Sequence, residues 1–176
     1  RAGQVGIGIT EYGLSWRTPS FRHLADFTAA LWTADVAGRI MAGRAELAHY
    51  FALQDTGGHG LLDSAGFIRP TYHVFRLLRD FHGSVVPVLL QGAPPTLSVY
   101  AVAGDDGTLR ILAVNMDSRA GARLRMELPD GIPLLPESVR CLTEASFEQH
   151  DDAEEVPPAP ALLLPPRSVT VVTVRS

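Results

Sequence analysis

Few side chains in this sequence have both the type and the setting for chemistry, and Glu11 is the foremost of them. It follows directly on Val5-Gly-Ile-Gly-Ile-Thr10, an apolar, β-branched run punctuated by glycine that reads as a short buried strand. A carboxylate fixed where a rigid strand ends can attack an electrophilic carbon or move a proton. The plain alternative is a solvated acid closing a strand. Trp16, in the loop that follows, offers a flat amphipathic ring for stacking, or else packs beneath that loop. Gln54 and Asp55 close a second apolar run, residues 47–53, where they can hydrogen-bond a polar ligand. An Asp at such a point also braces its own loop. His59 lies in the glycine-rich stretch beyond, either reaching a hydroxyl-bearing ligand or simply exposed.

Other chemistries find no support in the residues. His23, His49, His73, His82 and His150 show no metal-ligand spacing, and no metal or other cofactor is implied. Neither a glycine-rich phosphate loop nor a nucleophilic serine elbow is present. The single cysteine, Cys141, reads as a small buried hydrophobe. With 46% hydrophobic and 19% charged residues the 176-residue chain has a globular profile. Its net charge of -4 and lack of a polybasic face argue against a nucleic-acid partner. No apolar run reaches the roughly 18 residues of a membrane span. Oligomeric state and cellular address leave no mark in the sequence.

The elements that must hold these side chains fall into two regimes. Residues 21–43 have apolar residues at helical spacing, with Leu24, Phe27, Leu31 and Ala34 on one face, Ser20 placed to cap the start and Gly43 to end it. Asp35 and Arg39, four apart, suit an exposed ion pair. Residues 47–53 read as a strand and residues 56–69 as a loop. Pro70 then opens a second helix that Gly83 closes. Strand, helix, strand, helix is the rhythm of parallel βα units. An eight-unit barrel needs about 250 residues, so only about two units fit here. The chain starts at Arg1 and enters a strand at once, which reads as part of a longer chain. After residue 83 the pattern becomes strands at 85–90, 97–102, 109–115, 123–128, 139–143 and 169–174, separated by turns such as Gly104-Asp-Asp-Gly107. These fit an antiparallel β-sandwich, with residues 151–160 as an acidic, proline-rich solvated loop. The expected architecture is α/β plus all-β, with domains at 1–83 and 84–176.

Ile9-Thr-Glu-Tyr-Gly13 resembles the seventh-strand motif of the clan A (β/α)8 retaining glycoside hydrolases, which include arabinofuranosidases and β-xylosidases. Leu31-Trp-Thr-Ala-Asp35 is similar to the following helix of those enzymes, and Tyr50-Phe-Ala-Leu-Gln-Asp55 to their eighth strand. Gly60-Leu-Leu-Asp-Ser64 with Arg69-Pro-Thr-Tyr72 is similar to the last loop and helix, and Leu164-Pro-Pro-Arg-Ser-Val-Thr170 to the closing strand of an appended sandwich. The resemblance implies the last two βα units of a TIM (β/α)8 barrel followed by a β-sandwich, a carbohydrate substrate, and Glu11 as nucleophile. Trp16, Gln54, Asp55 and His59 become candidate substrate contacts. The family's acid/base is a Glu, usually in an Asn-Glu pair, and no such pair occurs here. The tryptophan that many members carry where the eighth strand ends has no counterpart at Gln54–Asp55. A catalytically inactive glycan-binding protein is the alternative. A sugar-binding role for the second domain needs aromatics, and beyond Gly83 there are only Tyr100 and Phe147.

Overall fold

The computed structural model describes residues 6–15, 25–148 and 152–175. They form a mixed α/β chain that divides into two compact units, residues 1–72 and 73–176.

In the first unit, β1 (Gly8–Tyr12) and β2 (Leu47–Tyr50) pair in parallel, with Gly8 opposite Leu47, Ile9 opposite Ala48 and Tyr12 opposite Tyr50. The register slips between Ile9 and Tyr12. Helix α1 (Phe27–Ala42) makes the crossover that a parallel pair requires. It starts later than the pattern 21–43 suggests, because Asp26 is extended and its carboxylate accepts the Thr28 amide at 2.7 Å, a side-chain N-cap. Ser20, the expected cap, lies outside the described residues. Phe27, Ala29, Ala30, Leu31 and Ala34 are buried, and Gly43 ends the helix with its amide on the Arg39 carbonyl. The Asp35–Arg39 pair forms at 2.8 Å, but Asp35 itself is buried rather than exposed.

Helix α2 (Pro70–Leu78) begins on the expected proline, and the division between the compact units falls inside it. The second unit is sheet-rich. A six-stranded antiparallel sheet runs in the order β3 (Ser84–Val86), β4 (Leu97–Ala103), β5 (Thr108–Asn115), β10 (Ser168–Arg175), β7 (Ser138–Thr143) and β8 (Glu154–Glu155). A second sheet pairs β6 (Ala122–Arg125) with β9 (Ala161–Leu164). One core takes side chains from both: Leu97, Ile111, Val139, Val172 and Val174 from the large sheet, Leu124, Leu162 and Leu164 from the small one. Every residue from Ile111 to Asn115 is buried, so both faces of this central strand are covered.

The strands depart from expectation where short-range chemistry intervenes. β3 stops at Val86 because Pro87 has no amide to donate. Residues 151–160 are not wholly a solvated loop: β8 lies within them, and Ala153 is buried. A short helix, α3 (Glu144–Glu148), interrupts the strands after β7. The Thr143 hydroxyl accepts the Ser146 amide at 3.2 Å, a local turn that carries no periodic signal.

Candidate active site

Glu11 is the penultimate residue of β1, inside the strand rather than beyond it, and it is exposed. Its neighbour Tyr12, past the slip in register, is half-buried. There the Tyr12 ring meets Tyr50, its partner in the ladder, edge to face with centroids 5.5 Å apart. Burial, with Tyr50 beside it, pushes the Tyr12 phenol up to about 12. Burial likewise raises Tyr50, opposed by the neighbouring Thr33 and Thr71 hydroxyls and the Arg69 charge. Both phenols are therefore neutral at ordinary pH, and the pair locks the two strand ends together.

Because β1 and β2 are parallel, whatever follows β2 emerges at the same edge as Glu11. The first residue to do so is Phe51. Its amide donates to the Tyr12 carbonyl at 2.9 Å, one residue from Glu11. Phe51 is 44% exposed, and His59 meets its ring edge to face with centroids 6.0 Å apart. A cis peptide bond joins Phe51 to Ala52. β2 ends at Tyr50, three residues before expectation, and residues 52–54 pair with the returning loop instead. The Leu53 carbonyl accepts the amides of Leu61 at 3.1 Å and Leu62 at 3.0 Å, and bridges link Leu62 to Gln54 and to Ile68.

This loop is built from its own polar groups. The Asp55 carboxylate accepts the Gly57 amide at 2.6 Å, an Asx turn. The Gln54 amide nitrogen donates to the Asp63 carbonyl at 2.9 Å and the Ser64 carbonyl at 3.3 Å. The Asp63 carboxylate in turn accepts from Ala65 and Phe67. Gly60 has φ +86°, and a Cβ there would stand 3.1 Å from both the Asp55 nitrogen and the Leu62 oxygen, so only glycine fits without strain. Arg69 is buried at the loop's far end. Its guanidinium donates to the His59 carbonyl and, at 3.2 Å, to the Asp55 carbonyl.

Of the expected site residues, Glu11 and the segment bearing His59 are thus brought to one edge. Gln54 and Asp55 spend the polar groups just described within their own loop, and Trp16 lies outside the described residues. Phe51 was not singled out by sequence. The signal was an aromatic at the end of an apolar run, three residues before Gln54, and it is indistinguishable from core until pairing shows where the strand stops. Among the described residues no group of His, Cys, Asp and Glu is arranged to hold a metal ion.

No protein-family model and no curated relative matches the sequence. The fold, however, is shared with solved clan A glycoside hydrolases. A glycoside hydrolase family 30 subfamily 8 xylanase from Clostridium acetobutylicum matches with a TM-score of 0.73 at 15% identity, over 97% of this chain and 43% of that one. A family 51 arabinofuranosidase from Xanthomonas axonopodis pv. citri gives 0.70 at 19% identity, over 97% and 41%. A family 44 xyloglucanase from Paenibacillus polymyxa gives 0.72 at 14% identity, over 97% and 32%. The chain spans about a third to two-fifths of the length of these enzymes.

Proposed function

We propose that this chain supplies the nucleophile side of a retaining glycoside hydrolase site, with Glu11 as nucleophile. In this reading residues 1–83 are the last two βα units of a TIM barrel and residues 84–176 a β-sandwich that covers its own core. The observation that carries the proposal is the exposed Glu11 near the end of a parallel strand, at the edge where the chain continues into Phe51 and the loop of His59. Ligand sites of α/β barrels lie at that end of their strands. The likeness to a xylanase, an arabinofuranosidase and a xyloglucanase supports a plant or microbial glycan, with pentosides the first class to try.

The reaction runs in two steps. A Glu11 carboxylate oxygen attacks the anomeric carbon as the bond to the leaving oxygen breaks, giving a covalent glycosyl-enzyme. A second carboxylic acid, about 5–5.5 Å away, protonates the leaving oxygen, then takes a proton from the water that releases the sugar. That second group comes from residues outside this sequence. Phe51 and His59 contact the sugar, Trp16 remains a candidate stacking residue, and Gln54 and Asp55 act through the loop they brace. The 176 residues alone should give no turnover.

The test is Glu11→Gly in the full-length protein, assayed on aryl glycosides with and without azide. Lost activity, restored by azide with an inverted glycosyl azide as product, is expected. Near-normal turnover by the variant would sink the assignment.

A further inference from the structure

We propose that Arg69 is a positioning residue for this site, acting through the loop that carries His59. The proposal rests on the reading of Glu11 as nucleophile. Three observations point to it. Arg69 is 8% exposed, yet among the described residues no carboxylate pairs with it. A buried cation is costly unless its donors are satisfied, so these donors must find main-chain partners. Second, its planar fork is spent on two main-chain carbonyls, Asp55 and His59, which bracket the tight Gly57–Gly58 stretch of the loop. Third, its neighbour Thr71 donates to the next carbonyl, Gly60, at 3.3 Å, so consecutive residues of the loop are held from one short segment.

The consequence is geometric. Phe51 is pinned to the Glu11 strand through the Tyr12 carbonyl, and its ring is met by His59. His59 has no sheet ladder of its own; its main chain is fixed by the Arg69 guanidinium. Arg69 therefore sets the position of one member of the Phe51–His59 pair without touching a substrate itself. Lysine carries the same charge but is a single point with no fork, and cannot span both carbonyls.

The measurement uses the full-length protein with Arg69→Lys and Thr71→Val, read by amide hydrogen exchange and by steady-state kinetics. For Arg69→Lys, exchange across residues 55–62 should speed at least about tenfold while β5 and β10 keep wild-type protection. KM should rise about tenfold with kcat within about threefold, because the loop would bind ground and transition states alike. Thr71→Val, a milder change, should move both readouts the same way by about threefold. Unchanged exchange in residues 55–62, or a loss of kcat with KM unmoved, would overturn the proposal. If Arg69→Lys does not fold, Thr71→Val decides alone by the same criteria. The two readings fail separately. Wild-type turnover by Glu11→Gly removes the nucleophile, whereas azide rescue of that variant beside an unaltered Arg69→Lys loop removes only the role of Arg69.

Discussion

The Phe51 amide donates to the Tyr12 carbonyl at 2.9 Å, which ties the first residue past β2 to the residue after Glu11. One main-chain bond thus joins the segment that carries an exposed aromatic to the strand that carries an exposed carboxylate. Phe51→Ala should lower kcat/KM on aryl glycosides about tenfold, equivalent to ~1.4 kcal/mol, while Phe51→Tyr stays within about threefold. The melting temperature should hardly move, since the ring is half out of the fold. A large fall in melting temperature with unchanged kcat/KM would assign the ring to packing instead.

Asn115 is 1% exposed and sits where β5 ends. Its amide nitrogen donates to the carbonyls of Ala120 at 3.0 Å, Pro165 at 2.9 Å and Leu164 at 3.3 Å, and its oxygen accepts the Asp117 amide at 3.1 Å. Asn115→Leu keeps the branched outline, adds some bulk and removes every side-chain bond. It should cost about 2–4 kcal/mol, read as a lower urea midpoint with an unchanged slope. A loss below about 0.5 kcal/mol would mean that water replaces the side chain.

Acid should weaken the second unit in two stages. Burial lowers the pKa of His73, outweighing the opposing pull of Asp152. Burial alone would raise Asp152, but the Ala153 amide and the charges of Arg76, Arg140 and His73 outweigh it and leave it lowered. Both groups release their protons more readily when folded. The stability each contributes is therefore complete above its unfolded pKa and lost as the pH falls toward and through the folded one. The His73 stage should begin as the pH drops below its ordinary 6.5. The Asp152 stage should begin below its ordinary 3.8. Chemical denaturation at a series of pH values should show the first stage vanish in His73→Gln and the second persist. A first stage unaltered by that variant would place the sensitive group elsewhere.

How far the sequence carries this picture depends on the range of the forces at each point. The start of α2 at Pro70 and the β4–β5 turn were legible because each rests on residues adjacent in the chain, whereas β1 runs on past Thr10 and takes in Glu11. The start of α1 was misjudged, since apolar spacing runs on through Phe21 and Leu24 while the Asp26 cap decides where the described helix begins. Gln54 and Asp55 stood out as polar groups at a strand end, and only their partners Asp63, Ser64 and Gly57 reveal them as braces. Phe51 and Arg69 look like ordinary core and surface residues in a linear reading. The bonds that set them apart run across a loop that folds back on itself. β8 and α3 are two and five residues long, too short for any periodicity to register.

β10 lies between β5 and β7, with Val172 opposite Ile111 on one side and Val139 on the other. The strand nearest the end of this sequence is thus the keystone of the six-stranded sheet. Until β10 has left the ribosome, the β3–β4–β5 ribbon and the β7–β8 pair have no common neighbour, and each shows an open edge. Docking of the two half-sheets therefore waits for β10, and a chain cut before Ser168 would carry two half-sheets in search of a partner.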